Sequence, residues 1–156
     1  MSTMKRRLFL KGAAASSVVV AAAGAGLITP RTVLAAWPAK AFEAKSTSDV
    51  LKSLLNGSDT NPGDIAIKAP DIAENGAVVP VTVSTKIDGV ESITFLVEKN
   101  DQPLAASFNL GATTQPFVAS RVKMAKTSNL TAVVKAGGKL YSKSKEVKVT
   151  IGGCGG

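Results

Sequence analysis

The chain has 156 residues, 45% hydrophobic and 4% aromatic, with 19 Lys+Arg against 11 Asp+Glu, a formal charge of +8 and no histidine. Lacking histidine, it lacks the usual general base and metal ligand, and its one cysteine excludes an internal disulfide. Five bases and no acid precede residue 37, leaving 14 bases against 11 acids beyond it; that excess is too small, and too poor in interleaved aromatics, for a nucleic-acid surface.

The amino-terminal residues read as an address. Lys5-Arg6-Arg7-Leu8-Phe9-Leu10-Lys11 carries the paired arginines Arg6 and Arg7, an apolar Ala/Val/Gly-rich run extends to Thr29, and Val33-Leu34-Ala35-Ala36 supplies small residues suited to signal peptidase. This is the layout of an export signal, and the arginine pair points to the twin-arginine route and the periplasm. A retained anchor would want about 20 strongly apolar residues, which this run lacks. Residues 1–36 are therefore expected to be a cleaved signal, 37–151 a single β-sandwich domain and 152–156 a mobile arm.

Lys40 to Leu55 is the one good helical stretch, with Phe42, Val50, Leu51, Leu54 and Leu55 as apolar positions, a cap at Ser48-Asp49 and a stop at Asn56-Gly57. After the loop Ser58-Asp59-Thr60-Asn61-Pro62-Gly63 the apolar period becomes two. Ile65 and Ile67 alternate with Ala66 and Lys68; Val79, Val81 and Val83 with Thr82 and Ser84; Ile93, Phe95 and Val97 with Thr94 and Leu96. Pro80 predicts an edge or a strand start. Further strands are expected at Leu104 to Leu110, Phe117 to Met124, Leu130 to Lys135 and Leu140 to Ile151. Turns are expected at Asp88-Gly89, Asn100 to Pro103, Gly111, Ser128-Asn129 and Gly137-Gly138. About seven short strands so spaced predict an all-β, immunoglobulin-like antiparallel β-sandwich with a short N-terminal helical segment.

The last strand runs into Gly152-Gly153-Cys154-Gly155-Gly156. Glycine has no Cβ and visits both halves of the backbone map, so Gly152, Gly153, Gly155 and Gly156 predict a slim, flexible arm around an accessible Cys154. A free thiol has a pKa of about 8.5 and little thiolate at neutral pH. With no histidine to act as base, Cys154 is a handle for other enzymes, and no catalytic residue, metal site or cofactor is expected. Prenylation would need the cysteine fourth from the end, and a redox cycle would need a second thiol. A thiocarboxylate on the terminal Gly-Gly would ignore Cys154 and the export signal. An exported binding module using Cys154 only for an intermolecular disulfide stays open. Asp71, Glu74, Asp88 and Glu91 sit beside turns and read as solvated surface. Seven bases between Lys123 and Lys148 read as the solvated face of terminal strands, with a weak pull on small anions.

The twin-arginine leader, the β-rich domain and the Gly152–Gly156 terminus together resemble the SoxY family of bacterial sulfur oxidation. The resemblance extends through Trp37 to Leu55, Arg121 to Asn129 and Val147 to Cys154. It implies a non-catalytic carrier that pairs with SoxZ as a heterodimer and holds thiosulfate-derived intermediates covalently on Cys154. It further implies visits to the haem enzyme SoxAX, to SoxB and, where present, to a sulfur dehydrogenase, with no cofactor of its own and no membrane or nucleic-acid partner.

Overall fold

The structure, a computed structural model, describes residues 38–150. The leader with Arg6 and Arg7, the end of the last predicted strand at Ile151, and the arm with Gly152, Gly153, Cys154, Gly155 and Gly156 lie outside the described residues.

The single helix expected over Lys40 to Leu55 is two: α1 (Ala39–Glu43) and α2 (Thr47–Leu55). Ala44 turns extended (φ −58°, ψ 140°), and the Ser46-Thr47-Ser48 run competes for backbone hydrogen bonds. The cap is Ser46 rather than Ser48-Asp49: its hydroxyl accepts from the Asp49 amide at 3.1 Å and donates to Asp49 Oδ2 at 2.7 Å. Asn56 ends α2 in the left-handed region (φ 54°) and the Gly57 amide reaches Leu51 O, which satisfies carbonyls the helix leaves open. Among the described residues, no helix is long and apolar enough to cross a membrane.

Nine strands follow among the described residues: β1 (Asn61–Pro62), β2 (Ile65–Lys68), β3 (Ile72–Ala73), β4 (Val79–Thr85), β5 (Val90–Val97), β6 (Leu104–Asn109), β7 (Phe117–Val122), β8 (Ser128–Ala136) and β9 (Lys139–Val149). They form a larger sheet, β1-β9-β8-β5-β6 with β3 also on β9, and a smaller one, β2-β4-β7. Pairing is antiparallel except at β1 and β3, which run parallel to β9. Two-residue strands carry no periodicity, which is why the sequence did not disclose them.

Alternation places the core. Ile65, Val79, Val81, Val83, Val118 and Val122 from the smaller sheet meet Ile93, Phe95, Val97, Leu130, Ala132, Val134 and Val147 from the larger. Each fully buried aliphatic or Phe side chain stabilises the fold by about 1.5–3 kcal/mol relative to an exposed one. The outer face of the larger sheet is covered too: Ala41, Val50 and Leu55 of the helices pack on Leu96, Leu104, Val133 and Leu140. For that reason β5 is buried continuously from Ser92 to Val97, including Thr94 and Leu96, which alternate with the core-facing Ile93, Phe95 and Val97.

Pro80 stands at a strand start, one of the two places its sequence signal named: it is the second residue of β4, the central strand of the smaller sheet, and β2 stops at the Lys68–Thr82 pair, so one flank of Pro80 is open and the missing N–H is tolerated. One turn signal needs correction: Ser128-Asn129 is strand, opposite Val147 and Glu146. The Ser128 hydroxyl accepts the Lys99 amide at 3.0 Å and Asn129 O accepts that of Glu98; the turn lies just before, over 123–127. Gly137 and Gly138, both at positive φ (55° and 72°), make the β8–β9 hairpin as their sequence predicted.

Candidate functional site

The segment bearing Cys154 leaves the sandwich where β9 ends, and that end is held on both flanks. On one side β3 pairs Ile72 with Lys148 and Ala73 with Val149; the Lys148 amide donates to Asp71 O at 2.9 Å and the Thr150 amide to Ala73 O at 3.1 Å. On the other, Thr127 Oγ1 accepts from the Val149 amide at 3.0 Å and donates to Val149 O at 3.4 Å. Lys145 ties down the approach to β3, donating to Ala69 O and pairing with Asp71 Oδ1 at 2.9 Å.

The surrounding loops interlock. Asn100 bridges to the 123–127 turn, Nδ2 donating to Lys123 O at 2.8 Å and Oδ1 accepting from the Ala125 amide at 3.0 Å. Gly76 is buried beside Val149, and its carbonyl accepts the Met124 amide at 2.7 Å. A Cβ there would stand 2.4 Å from Met124 O and 2.7 Å from Val149 Cγ1, so only glycine fits without movement. Asn75-Gly76 is a visible turn signal, and Asn75 Oδ1 does accept the Ala77 amide. Its contact with residues dozens of positions away is not readable from that signal. Thr127, Asn100 and Ala73 were likewise missed, since each acts through a distant backbone partner.

Ile72 and Val78 beside this root are 58% and 49% exposed. The seven bases between Lys123 and Lys148 do not form one patch: Lys135 and Lys139 belong to the hairpin end, whereas Lys123, Lys126 and Lys148 lie toward the root. Open clefts around Thr85, Lys86 and Pro116 lie at the end away from the root. Among the described residues, no group of three or more acidic or cysteine side chains is placed to hold a metal. Asp71 and Glu91 are exposed ion-pair partners of Lys145 and Lys135, and Glu74 and Asp88 are exposed. Glu91 is the acid with a perturbed carboxyl. The Lys135 side chain at 3.1 Å, helped by the Gly138 amide, holds it below the ordinary carboxylate range, but it stands at the hairpin end, far from the root.

Covalent geometry then bounds the thiol. Cys154 follows Thr150 by four residues, so at about 3.5 Å per extended residue its Cα stays within about 14 Å of the pinned strand end. The arrangement is a fixed platform carrying a short segment with one thiol.

Known proteins bear on this arrangement in two ways. A solved structure of the sulfur carrier protein SoxY from Chlorobium limicola f thiosulfatophilum is 47% identical, covering 66% of this chain and 94% of its own, with a TM-score of 0.60. Two single-substitution variants of superoxide reductase (neelaredoxin) from Ignicoccus hospitalis match at 16% and 17% identity and TM-scores of 0.50. They cover 67% and 68% of this chain and 93% and 90% of their own, a likeness of fold alone. No curated protein matches. The family model described as "Sulfur oxidation protein SoxY" matches residues 51–154, from α2 through every strand to the cysteine itself; the chain belongs to the SoxY family.

Proposed function

We propose that this protein is a sulfur carrier whose cargo rides covalently on Cys154, and that it catalyses nothing itself. The observation that carries the reading is that the family match ends on Cys154, the sole cysteine, just past a strand end pinned by Ala73 and Thr127. A rigid root and a short glycine arm (Gly152, Gly153, Gly155, Gly156) let the thiol enter a narrow site in another protein while the sandwich stays outside.

In the chemistry the family implies, the Cys154 thiol and thiosulfate join through a new S–S bond, releasing one proton and two electrons to the haem enzyme SoxAX. SoxB then adds water across the bond between the sulfane sulfur and the terminal sulfone, releasing sulfate and two protons and leaving a persulfide on Cys154. A sulfur dehydrogenase, where present, oxidises that sulfane sulfur, and a second hydrolysis frees the thiol. Small anions would diffuse away between enzymes; a covalent bond keeps them at high effective concentration. We place the carrier in the periplasm, exported through Arg6 and Arg7 by the twin-arginine route as a folded heterodimer with SoxZ, and take its sandwich connectivity to be immunoglobulin-like.

Mass spectrometry of the carboxy-terminal peptide from cells grown on thiosulfate tests the reading. Adducts of sulfur or thiosulfonate on Cys154 are expected, and Cys154→Ser should abolish thiosulfate oxidation while the domain still folds. A peptide permanently cross-linked to another cysteine, or a thiol that stays bare during active oxidation, would refute it.

A further inference from the structure

The β8–β9 ladder ends at the Ser128–Val147 pair. Continued in that register it would set Lys126 opposite Val149, but the chain has already turned away over 123–127. Backbone groups of a paired strand point alternately to its two flanks. The Lys148 and Thr150 amides turn to β3, reaching Asp71 O at 2.9 Å and Ala73 O at 3.1 Å. Both polar backbone groups of Val149 therefore face the β8 flank, beyond the end of the ladder.

The Thr127 side chain meets them there. Its Oγ1 accepts from the Val149 amide at 3.0 Å and donates to Val149 O at 3.4 Å. One hydroxyl thus replaces the N–H and C=O pair that Lys126 would have supplied, because a hydroxyl holds donor and acceptor on a single atom. Thr127 is itself fixed from the loop after β5. Asn100 bridges Lys123 O and the Ala125 amide, and the Ser128 hydroxyl accepts the Lys99 amide. The two flanks of the strand end are therefore unequal: β3 pairs through backbone, whereas the β8 flank hangs on one side chain. Loss of that side chain leaves β9 in place and frees its last residues to swing about β3.

We infer that Thr127 is a positioning residue for the transfer reactions, its hydroxyl setting the direction in which the Cys154 segment leaves the sandwich. The inference deepens the carrier reading above and rests on it. Cys154 stays within about 14 Å of the strand end. Within so short a reach, the direction of the last fixed peptide decides how readily the sulfur finds the mouth of a docked partner. A loosened root must be ordered afresh each time the sulfur is seated, a cost that falls on binding. Once seated, the sulfur meets the same chemistry, so the loss appears in KM and spares kcat.

The test uses the full-length chain assembled with SoxZ and compares Thr127→Val, which keeps the shape and loses both bonds, with Thr127→Ser, which keeps the hydroxyl. Cys154 is loaded with tetrathionate: the thiolate displaces one thiosulfate and binds the other through a new S–S bond. Sulfate release by SoxB is then followed. One hydrogen bond corresponds to a factor of about 2 to 12. Thr127→Val is accordingly expected to raise the KM for the carrier about three- to tenfold at unchanged kcat, and Thr127→Ser to restore the parent value. In hydrogen exchange the Val149 amide should exchange about tenfold faster in Thr127→Val, while the Thr150 amide, bonded to Ala73, keeps its protection. Circular dichroism at the assay temperature checks that each variant is fully folded. Asn100→Ala, which loosens the 123–127 turn without touching Thr127, should move KM in the same direction if Thr127→Val folds poorly. An unchanged KM in Thr127→Val, a fall in kcat in its place, or a serine variant no better than valine would overturn the inference and leave the carrier reading standing. A parent chain that yields no sulfate would overturn the carrier reading, and the inference with it.

Discussion

Gly76→Ala tests whether the root of the carrier segment is held by close packing. Gly76 is not at positive φ, so an added methyl is conformationally acceptable and any cost is steric. The new Cβ would meet Met124 O at 2.4 Å and Val149 Cγ1 at 2.7 Å. The first is backbone, fixed by the Met124–Gly76 hydrogen bond and by the Asn100 bridge to the same turn, and cannot swing aside as a flexible side chain would. Overpacking of this kind costs about 1–3 kcal/mol. Alanine also restricts the unfolded chain, which returns about 0.4–1 kcal/mol, so a net loss of about 1–2 kcal/mol is expected. For a domain of this size that lowers Tm by about 4–10 °C, read by circular dichroism melts and urea titration. Gly89→Ala is the contrasting control: it has open space within 4 Å but a φ of 66°, so its cost comes from backbone strain without displacing Val149. A Gly76→Ala chain melting within about 1 °C of the parent would refute the packing argument.

Leu96→Ala empties the centre of the contact between the helices and the larger sheet and should cost about 2–5 kcal/mol, with helical signal lost first in a denaturant titration. Glu91→Gln should narrow the pH dependence of stability. A carboxyl whose folded pKa is lowered stabilises above its unfolded value and stops doing so as pH falls through the folded one. The gap in urea midpoint between parent and variant should therefore be present at neutral pH and close in acid, and a gap that widens in acid would contradict the Lys135 contact as its cause. Gly153→Trp should slow sulfur transfer to partner enzymes by tenfold or more in a reconstituted assay while leaving the melting temperature unchanged; unaltered turnover would count against entry of the arm into a narrow channel.

Legibility along the chain followed the range of the forces involved. Strands with a clean apolar period, such as Val79-Pro-Val-Thr-Val83, the Asn56 helix stop and the Gly137-Gly138 hairpin are local facts of side-chain alternation and backbone sterics, and the amino acids alone determined them. So did the candidate thiol, because one cysteine among four glycines is a statement about composition. Tertiary structure decided the rest. It split the helix at Ala44–Ser46, buried one face of β5 under α1 and α2 and the other against the smaller sheet, and drew Ser128-Asn129 into β8 against Val147. It also laid the two-residue strands β1 and β3 along β9 and set Gly76 and Thr127 against Val149. Each of these depends on a partner far away in the chain, and a residue's own chemistry names what it can bond to without naming which distant backbone will be brought within reach.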